Sequence, residues 1–478
     1  MNKSHFPKKA IFAIYLLIMV VLPLVTNLKL LAGNCLNATD FGIFEQAFFE
    51  ISSGPSFNPY LTIRNLSFFN DHFLPITIPV AYLVRLFNYY PSSLIIIEWL
   101  FFISLFPFAF HYTRKNHSSS EQLVAFYMII FSKGLLTGLE FPVHPAFWSG
   151  IGWFLLIKSI KKDETLMIVL SSIFLCLFRE SFPFGIITLG IYYLLFKKFN
   201  RAGILISIGS IWIGFVQVIR PKIFGEVYNY GGEFLSSLVN SPFSFLLQSA
   251  QNFEYAVPFK ILYPFIIPLY FVYKKNHSRY SPLWATAFLL VPHFLLHFLA
   301  NKFHFQYGTT FVAPLLALII FEGGIKDLIK KPIPLFLTLI LFFASSSSVY
   351  TKMVKTTLFN SSKKCVLTEE KLNLTKKLVD LTREIKPSEK IISTAGVIPR
   401  IMRPGMQIYQ FVKYSKPQPS YQYILLEKNN SGDIHPLSNE NVIEIEKRCH
   451  KHALHVLMEN EYFYYAKGEF PLECIRGK

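Results

Sequence analysis

The chain has 478 residues; 52% are hydrophobic, only 16% are charged, and phenylalanine alone contributes 50. Soluble chains carry about 25% charged residues, so the composition excludes an ordinary water-soluble enzyme and implies burial in lipid. The net charge of +18 does not point to nucleic acid, because the basic residues gather at the ends of apolar segments, where membrane orientation is set.

Lys8-Lys9 precede an apolar run from Ala10 to about Leu31, longer than the roughly 7–15 residues of a signal-peptide core. Leu31-Ala32-Gly33-Asn34-Cys35 has one residue too many between Gly33 and Cys35 for a lipoprotein cleavage box. An uncleaved first helix is expected. Apolar segments follow the pattern 10–28, 92–112, 121–139, 145–157, 165–178, 182–196, 203–219, 258–273, 282–299, 308–321 and 332–349, which predicts about eleven transmembrane helices. The stretch 73–90 is apolar too, but it contains Pro75, Pro79 and Arg85 and reads as a helix lying in the membrane interface. Only that reading keeps Lys8, Lys9, Arg114, Lys115, Lys158, Lys161, Lys197, Lys198, Lys274, Lys275, Lys330 and Lys331 on one side. The expected topology is a multi-pass protein of the cell (inner) membrane, N-terminus cytoplasmic and tail from about Tyr350 extracytoplasmic.

The first outer loop, 29–91, is long and rich in polar and aromatic residues. From Phe41, the residues Ile43, Phe44, Ala47, Phe48 and Ile51 share one helical face, and Glu45, Gln46 and Glu50 fall mainly on the other, predicting an amphipathic helix on the membrane surface. Asp40 stands at its start, where an N-cap aspartate and a rigidly held general base are compatible readings. Asn70-Asp71-His72 closes the loop at the same expected depth. Farther on, Glu140 and His144 share one short outer turn, and Arg179-Glu180 another. Two ionised groups in so tight a turn either satisfy each other or line a watery cavity. Arg220 and Lys222, where the seventh span ends, either snorkel or neutralise a phosphate at headgroup level. His293 and His297 lie on one face of the ninth span, followed by His304 and Tyr307. Asp40, Asp71, His72 and His144, with Glu140 and the later histidines, offer donors for a divalent metal ion.

The tail, 350–478, is far more polar than the transmembrane domain, 1–349. It reads as a small α/β module: helix 369–386, strands 390–395 and 421–427, helix 441–450 and a hairpin over 455–466. It carries no glycine-rich phosphate loop, and an accessory role in docking or acceptor binding is expected. Cys365, Cys449 and Cys474 have the option of pairing if the tail lies in an oxidising compartment.

Asp40-Phe41-Gly42-Ile43-Phe44-Glu45-Gln46, then His72-Phe73-Leu74-Pro75, and in the tail Lys390-Ile391-Ile392-Ser393-Thr394-Ala395, Ile398-Pro399-Arg400, Ile408-Tyr409-Gln410-Phe411 and Tyr421-Gln422-Tyr423-Ile424-Leu425-Leu426 resemble an uncharacterised predicted-membrane-protein family, the domain of unknown function DUF2079. That family is similar in layout to GT-C glycosyltransferases. The resemblance implies an all-α polytopic GT-C-like fold with interfacial helices in the first outer loop, a polyprenyl-phosphate sugar donor, and an extracytoplasmic lipid, glycan or protein acceptor. The expected reaction is glycosyl transfer with Asp40 as base. Arg179, Arg220 or Lys222 would hold the donor phosphate, and Glu45, Asp71, His72, Glu140, His144, Glu180, His304 and Tyr307 would line the cavity. A lipid-linked glycan flippase and a non-catalytic envelope assembly protein are the alternatives.

Overall fold

The computed structural model describes residues 6–36, 38–54, 56–116, 118–141, 143–225, 240–252, 254, 256–275, 281–299, 308–360, 367–411, 418–429, 434 and 437–476. Helix α1 (Phe6–Ala32) has 27 residues, about 40 Å at 1.5 Å per residue, enough to cross a hydrocarbon core of about 30 Å. It ends where Asn34 takes a left-handed φ of 58°, a conformation asparagine tolerates at helix C-termini. Among the described residues, six helices are long and apolar enough to span a membrane, and the bent pair Ser119–Ile130 with Lys133–Leu139, at 51°, adds a seventh candidate. All eleven expected segments are helical, but they are not eleven full-length spans. Thr165–Cys176, Phe182–Leu195 and Gly308–Phe321 have only 12 to 14 residues, about 18–21 Å. Gly308–Phe321 is buried along its whole length, so its apolarity serves protein packing as much as lipid. Its close approach to the bent pair requires glycine on both sides: a Cβ on Gly134 would stand 3.0 Å from the Gly308 carbonyl oxygen.

The first loop folds back onto the bundle. Helix α2 (Ala38–Ser53) is followed by a short hairpin, β1 (Tyr60–Leu61) with β2 (Leu66–Ser67), then α3 (Phe68–Asp71) and α4 (Thr77–Leu86). At 10 residues, α4 reaches about 15 Å, too short to cross. It leaves Tyr82, Leu83 and Leu86 exposed, while Arg85 Nη1 donates to the Ser52 carbonyl at 2.9 Å and ties α4 to α2. The expectation of a surface-lying α2 is overturned. Glu45 and Gln46 are as buried as Phe44 and Phe48, because α4 covers one side of the helix and the tail covers another.

The tail is an α/β module. A helix (Glu369–Thr382) precedes a five-stranded sheet of order β4-β3-β5-β7-β6, built from β3 (Lys390–Ser393), β4 (Gln407–Gln410), β5 (Ser420–Glu427), β6 (Ala453–Glu459) and β7 (Phe463–Pro471). β3 pairs parallel with β4 and β5, setting Ile392 opposite Tyr409 and Ile424; β5, β7 and β6 are antiparallel. The helix Asn439–His450 opens with a Ser438–Asn441 capping box and packs Val442, Ile445 and Cys449 against the sheet. Cys449 and Cys474 are joined by a disulfide, and Cys35 is disulfide-bonded as well. Cys365 lies outside the described residues.

This module is fastened to the start of the first loop. Buried Lys371 donates through Nζ to the Gly33 carbonyl, and Arg400 Nη1 donates to the Ala32 carbonyl at 3.0 Å. The Gly405 N–H donates to Glu50 Oε1 at 2.7 Å. Gln46 Nε2 donates to Thr62 Oγ1 at 2.8 Å, and Thr62 Oγ1 donates onward to the Ile408 carbonyl at 2.5 Å. These bonds satisfy Gln46 and Glu50, which burial of α2 would otherwise strand.

Candidate functional site

The site forms where the first loop meets the loops at one end of the bundle. Helix α2 begins at Ala38, so Asp40 lies inside its first turn and not at the cap, a place where the helix dipole favours a carboxylate. Asp40 is half-buried. Burial raises its pKa above the ordinary carboxylate value; the nearby positive charge of His72 and of Arg64 counters this, and Asp71 adds to it. Arg64 holds buried Asp71 with two bonds, Nε to Oδ2 at 2.8 Å and Nη2 to Oδ1 at 3.3 Å. The same carboxylate and guanidinium therefore set the electrostatic environment of Asp40.

The chain after His72 links this group to later loops. The Phe73 N–H donates to Glu180 Oε1, and that oxygen also accepts from Arg220 Nη1. Arg220 is buried, at 4% exposure, so Glu180 compensates a charge placed away from water. The turn at 179–180 is thus not a self-satisfied Arg–Glu pair: Glu180 reaches across to the end of helix Phe199–Phe224. His144 is the other connection. Burial, then the positive fields of Arg179 and His72, push its pKa well below the ordinary histidine value, so its imidazole is neutral at physiological pH. Its ring stands edge-on to Phe44 of α2, centroids 6.1 Å apart.

Asp40, Asp71, His72, His144, Arg179, Glu180 and Arg220 are accordingly brought into one neighbourhood. Other sequence-predicted residues are not. Glu140 is ion-paired with Lys352 at 2.8 Å on the helix Pro332–Phe359. Lys222 is exposed. His293 is the exception: packed against the rings of Trp153 and Phe182, it lies within the field of Arg179, whereas His297 is buried against Phe311. His304 and Tyr307 lie outside the described residues. Among the described residues no three His, Cys, Asp or Glu side chains gather closely enough to hold a metal ion; Asp71 is engaged by Arg64, and Asp40, Asp71, His72 and His144 do not form a ligand set.

Glu45 stands apart from Asp40 for a geometric reason: five residues on, it projects about 140° around the helix. It is fully buried, neither carboxylate oxygen has a hydrogen-bond partner, and burial alone drives its pKa well above the ordinary value. Its proton is held more tightly in the folded than in the unfolded chain. Stability is therefore complete below the unfolded value of about 4.5 and is lost as pH rises towards the folded one. Glu45→Gln flattens this fall, and Glu45→Met raises stability by about 1–3 kcal/mol. Thermal melts in detergent from acid to neutral pH check both; parallel curves for wild type and Glu45→Gln would contradict them.

The family model described as "Predicted membrane protein (DUF2079)" matches residues 34–465. The chain belongs to this family. No curated protein matches it significantly. Among solved structures, ArnT from Cupriavidus metallidurans in the apo state is similar to this DUF2079 protein with a TM-score of 0.55 and 10% identity, over 96% of this chain and 97% of that one. At that identity the likeness is one of fold, and it extends the GT-C-like layout to the whole molecule, tail included. Two residues of this DUF2079 site escape a reading of the sequence. Arg64 carries no local motif and becomes visible only when the β1–β2 hairpin folds it onto Asp71. Glu98 did leave a signal: it is a lone carboxylate inside the apolar run Leu94–Phe102, and an ionisable residue in a span marks a functional place.

Proposed function

We propose that this protein is a membrane glycosyltransferase that moves a sugar from a polyprenyl-phosphate donor to an extracytoplasmic acceptor. The observation carrying the reading is the meeting of Asp40 with Arg64, Asp71 and His72, beside Arg179, Glu180 and Arg220, at one end of a GT-C-like bundle. Asp40 takes the proton of the acceptor hydroxyl as its oxygen forms the new bond to the anomeric carbon. The bond from that carbon to the phosphate oxygen breaks, and polyprenyl phosphate leaves with the electron pair. Arg179 and Arg220, with Lys222 at the rim, stabilise the charge that develops on it. A carboxylate whose pKa is raised by burial is a stronger base than one in water. Disulfides at Cys35 and Cys449–Cys474 suit an oxidising compartment, in agreement with basic loops on the opposite side and with an extracytoplasmic tail.

The direct test supplies membranes containing the protein with radiolabelled polyprenyl-phosphate sugars and, in parallel, with nucleotide sugars. Label passing to an acceptor from the lipid-linked donor alone is the expected result. Transfer only from nucleotide sugars, or none from either class, would remove the proposal.

A further inference from the structure

Glu98 lies in helix Pro91–Ile103, and its side chain is buried. Both its oxygens are used by the backbone of another element. Oε2 accepts from the Val143 N–H at 2.6 Å, and Oε1 accepts from the His144 N–H at 3.2 Å. The donors are consecutive peptides, so one carboxyl group grips one turn of backbone at two points. That turn is strained. Val143 has a φ of 66° and is fully buried; a β-branched residue enters the left-handed region rarely and at a cost. Immediately after it the chain presents His144 to Phe44 of α2 and to the fields of Arg179 and His72.

We infer that Glu98 is a positioning residue, whose two bonds to the Val143–His144 turn hold the His144 imidazole between the first loop and Arg179. The purpose of that hold rests on the transferase reading; the hold itself does not. A buried carboxylate with no such task would find its partners on its own helix or on a neighbouring cation. Here it spends both oxygens on a turn whose backbone is unfavourable for the β-branched residue that occupies it. Misplacing a group in such a site by about 1 Å costs on the order of 100-fold in rate.

The test is a mutant cycle in the full-length protein, using E98Q, V143G and E98Q/V143G, read both by thermal melting in detergent and by transfer from a polyprenyl-phosphate sugar. Gln sets an N–H₂ against one of the two N–H donors, so E98Q lowers the melting temperature by about 5 °C and transfer by about 10–100-fold. Glycine takes a positive φ without strain, so in the V143G background the E98Q effect on both readouts falls to less than half. In an H144A background E98Q leaves the residual transfer unchanged. An E98Q effect of the same size in the wild-type and V143G backgrounds would overturn the inference, as would a further loss of transfer on top of H144A. If E98Q alone fails to fold, recovery of folded protein in E98Q/V143G supports the hold, and failure of both variants overturns it. Absence of transfer by the wild type would sink the transferase reading, while the melting cycle would still decide the role of Glu98.

Discussion

Asp40→Asn lowers sugar transfer by about 100- to 10,000-fold, the range set by loss of a positioned general base, and leaves the protein inserted and folded. Asparagine matches aspartate in shape, so the first turn of α2 and its packing persist; what disappears is the lone pair that accepts the proton. The pH profile adds a second, independent readout. Burial raises the pKa of Asp40 above its ordinary value of 3.8, and the base works only when ionised. Wild-type transfer therefore climbs with pH through that raised pKa and levels off above it, and the residual rate of Asp40→Asn lacks this limb. Transfer assays in membranes between pH 4 and 8 compare the two. Wild-type rates in the Asn variant would show that the proton goes elsewhere.

The second large effect concerns stability. Glu180→Ala strips a buried guanidinium of its partner and the Phe73 N–H of its acceptor. Removing one member of a buried ion pair costs about 3–5 kcal/mol, because the other charge stays out of water uncompensated. Glu180 is the partly exposed member and Arg220 the deeply buried one, with side-chain exposures of 24% and 5%, so the damage is asymmetric: losing Glu180 is worse than losing Arg220. The double variant Glu180→Leu/Arg220→Met recovers much of the stability, since two apolar groups leave no orphan charge, yet it does not recover transfer. Melting of the purified proteins in detergent measures all three. An unchanged melting temperature for Glu180→Ala would mean that Arg220 reaches water.

Much of this architecture was legible in the sequence because period and charge act locally. Apolar runs between basic clusters marked every long helix, and the strands β3 and β5 were visible as short apolar runs within a polar tail. Strand β4 was not; Gln407–Gln410 gains its place by pairing with Ile391 and Ile392 across the sheet. Helix α2 was recognised, but its burial was not. Sequence spacing put Glu45, Gln46 and Glu50 on a polar face, and only the folded chain reveals that the tail reaches Gln46 and Glu50 through Met406 and Gly405. The convergence of Asp40, His72, His144 and Arg179 was partly readable, because each falls in a loop on the same expected side. What joins them was not: Arg64 meets Asp71 only through the β1–β2 hairpin, and the partners of Glu98 and the cross-link from Glu180 to Arg220 depend on contacts between segments distant in sequence, which no local pattern encodes.

The fastening of the tail to the first loop has a consequence for biogenesis. Gln46 meets Met406 across a separation of 360 residues, Glu50 meets Gly405 across 355, and Lys371 meets Gly33 across 338. The segment bearing Asp40 leaves the ribosome among the first, and the groups that satisfy it among the last. At about 5–20 residues per second, the nascent loop waits on the order of tens of seconds, unfinished, before its polar side chains find their counterparts. Gln46 and Glu50 of α2 therefore reach their counterparts in the tail only with completed translation, and a prematurely terminated polypeptide enters the bilayer without them.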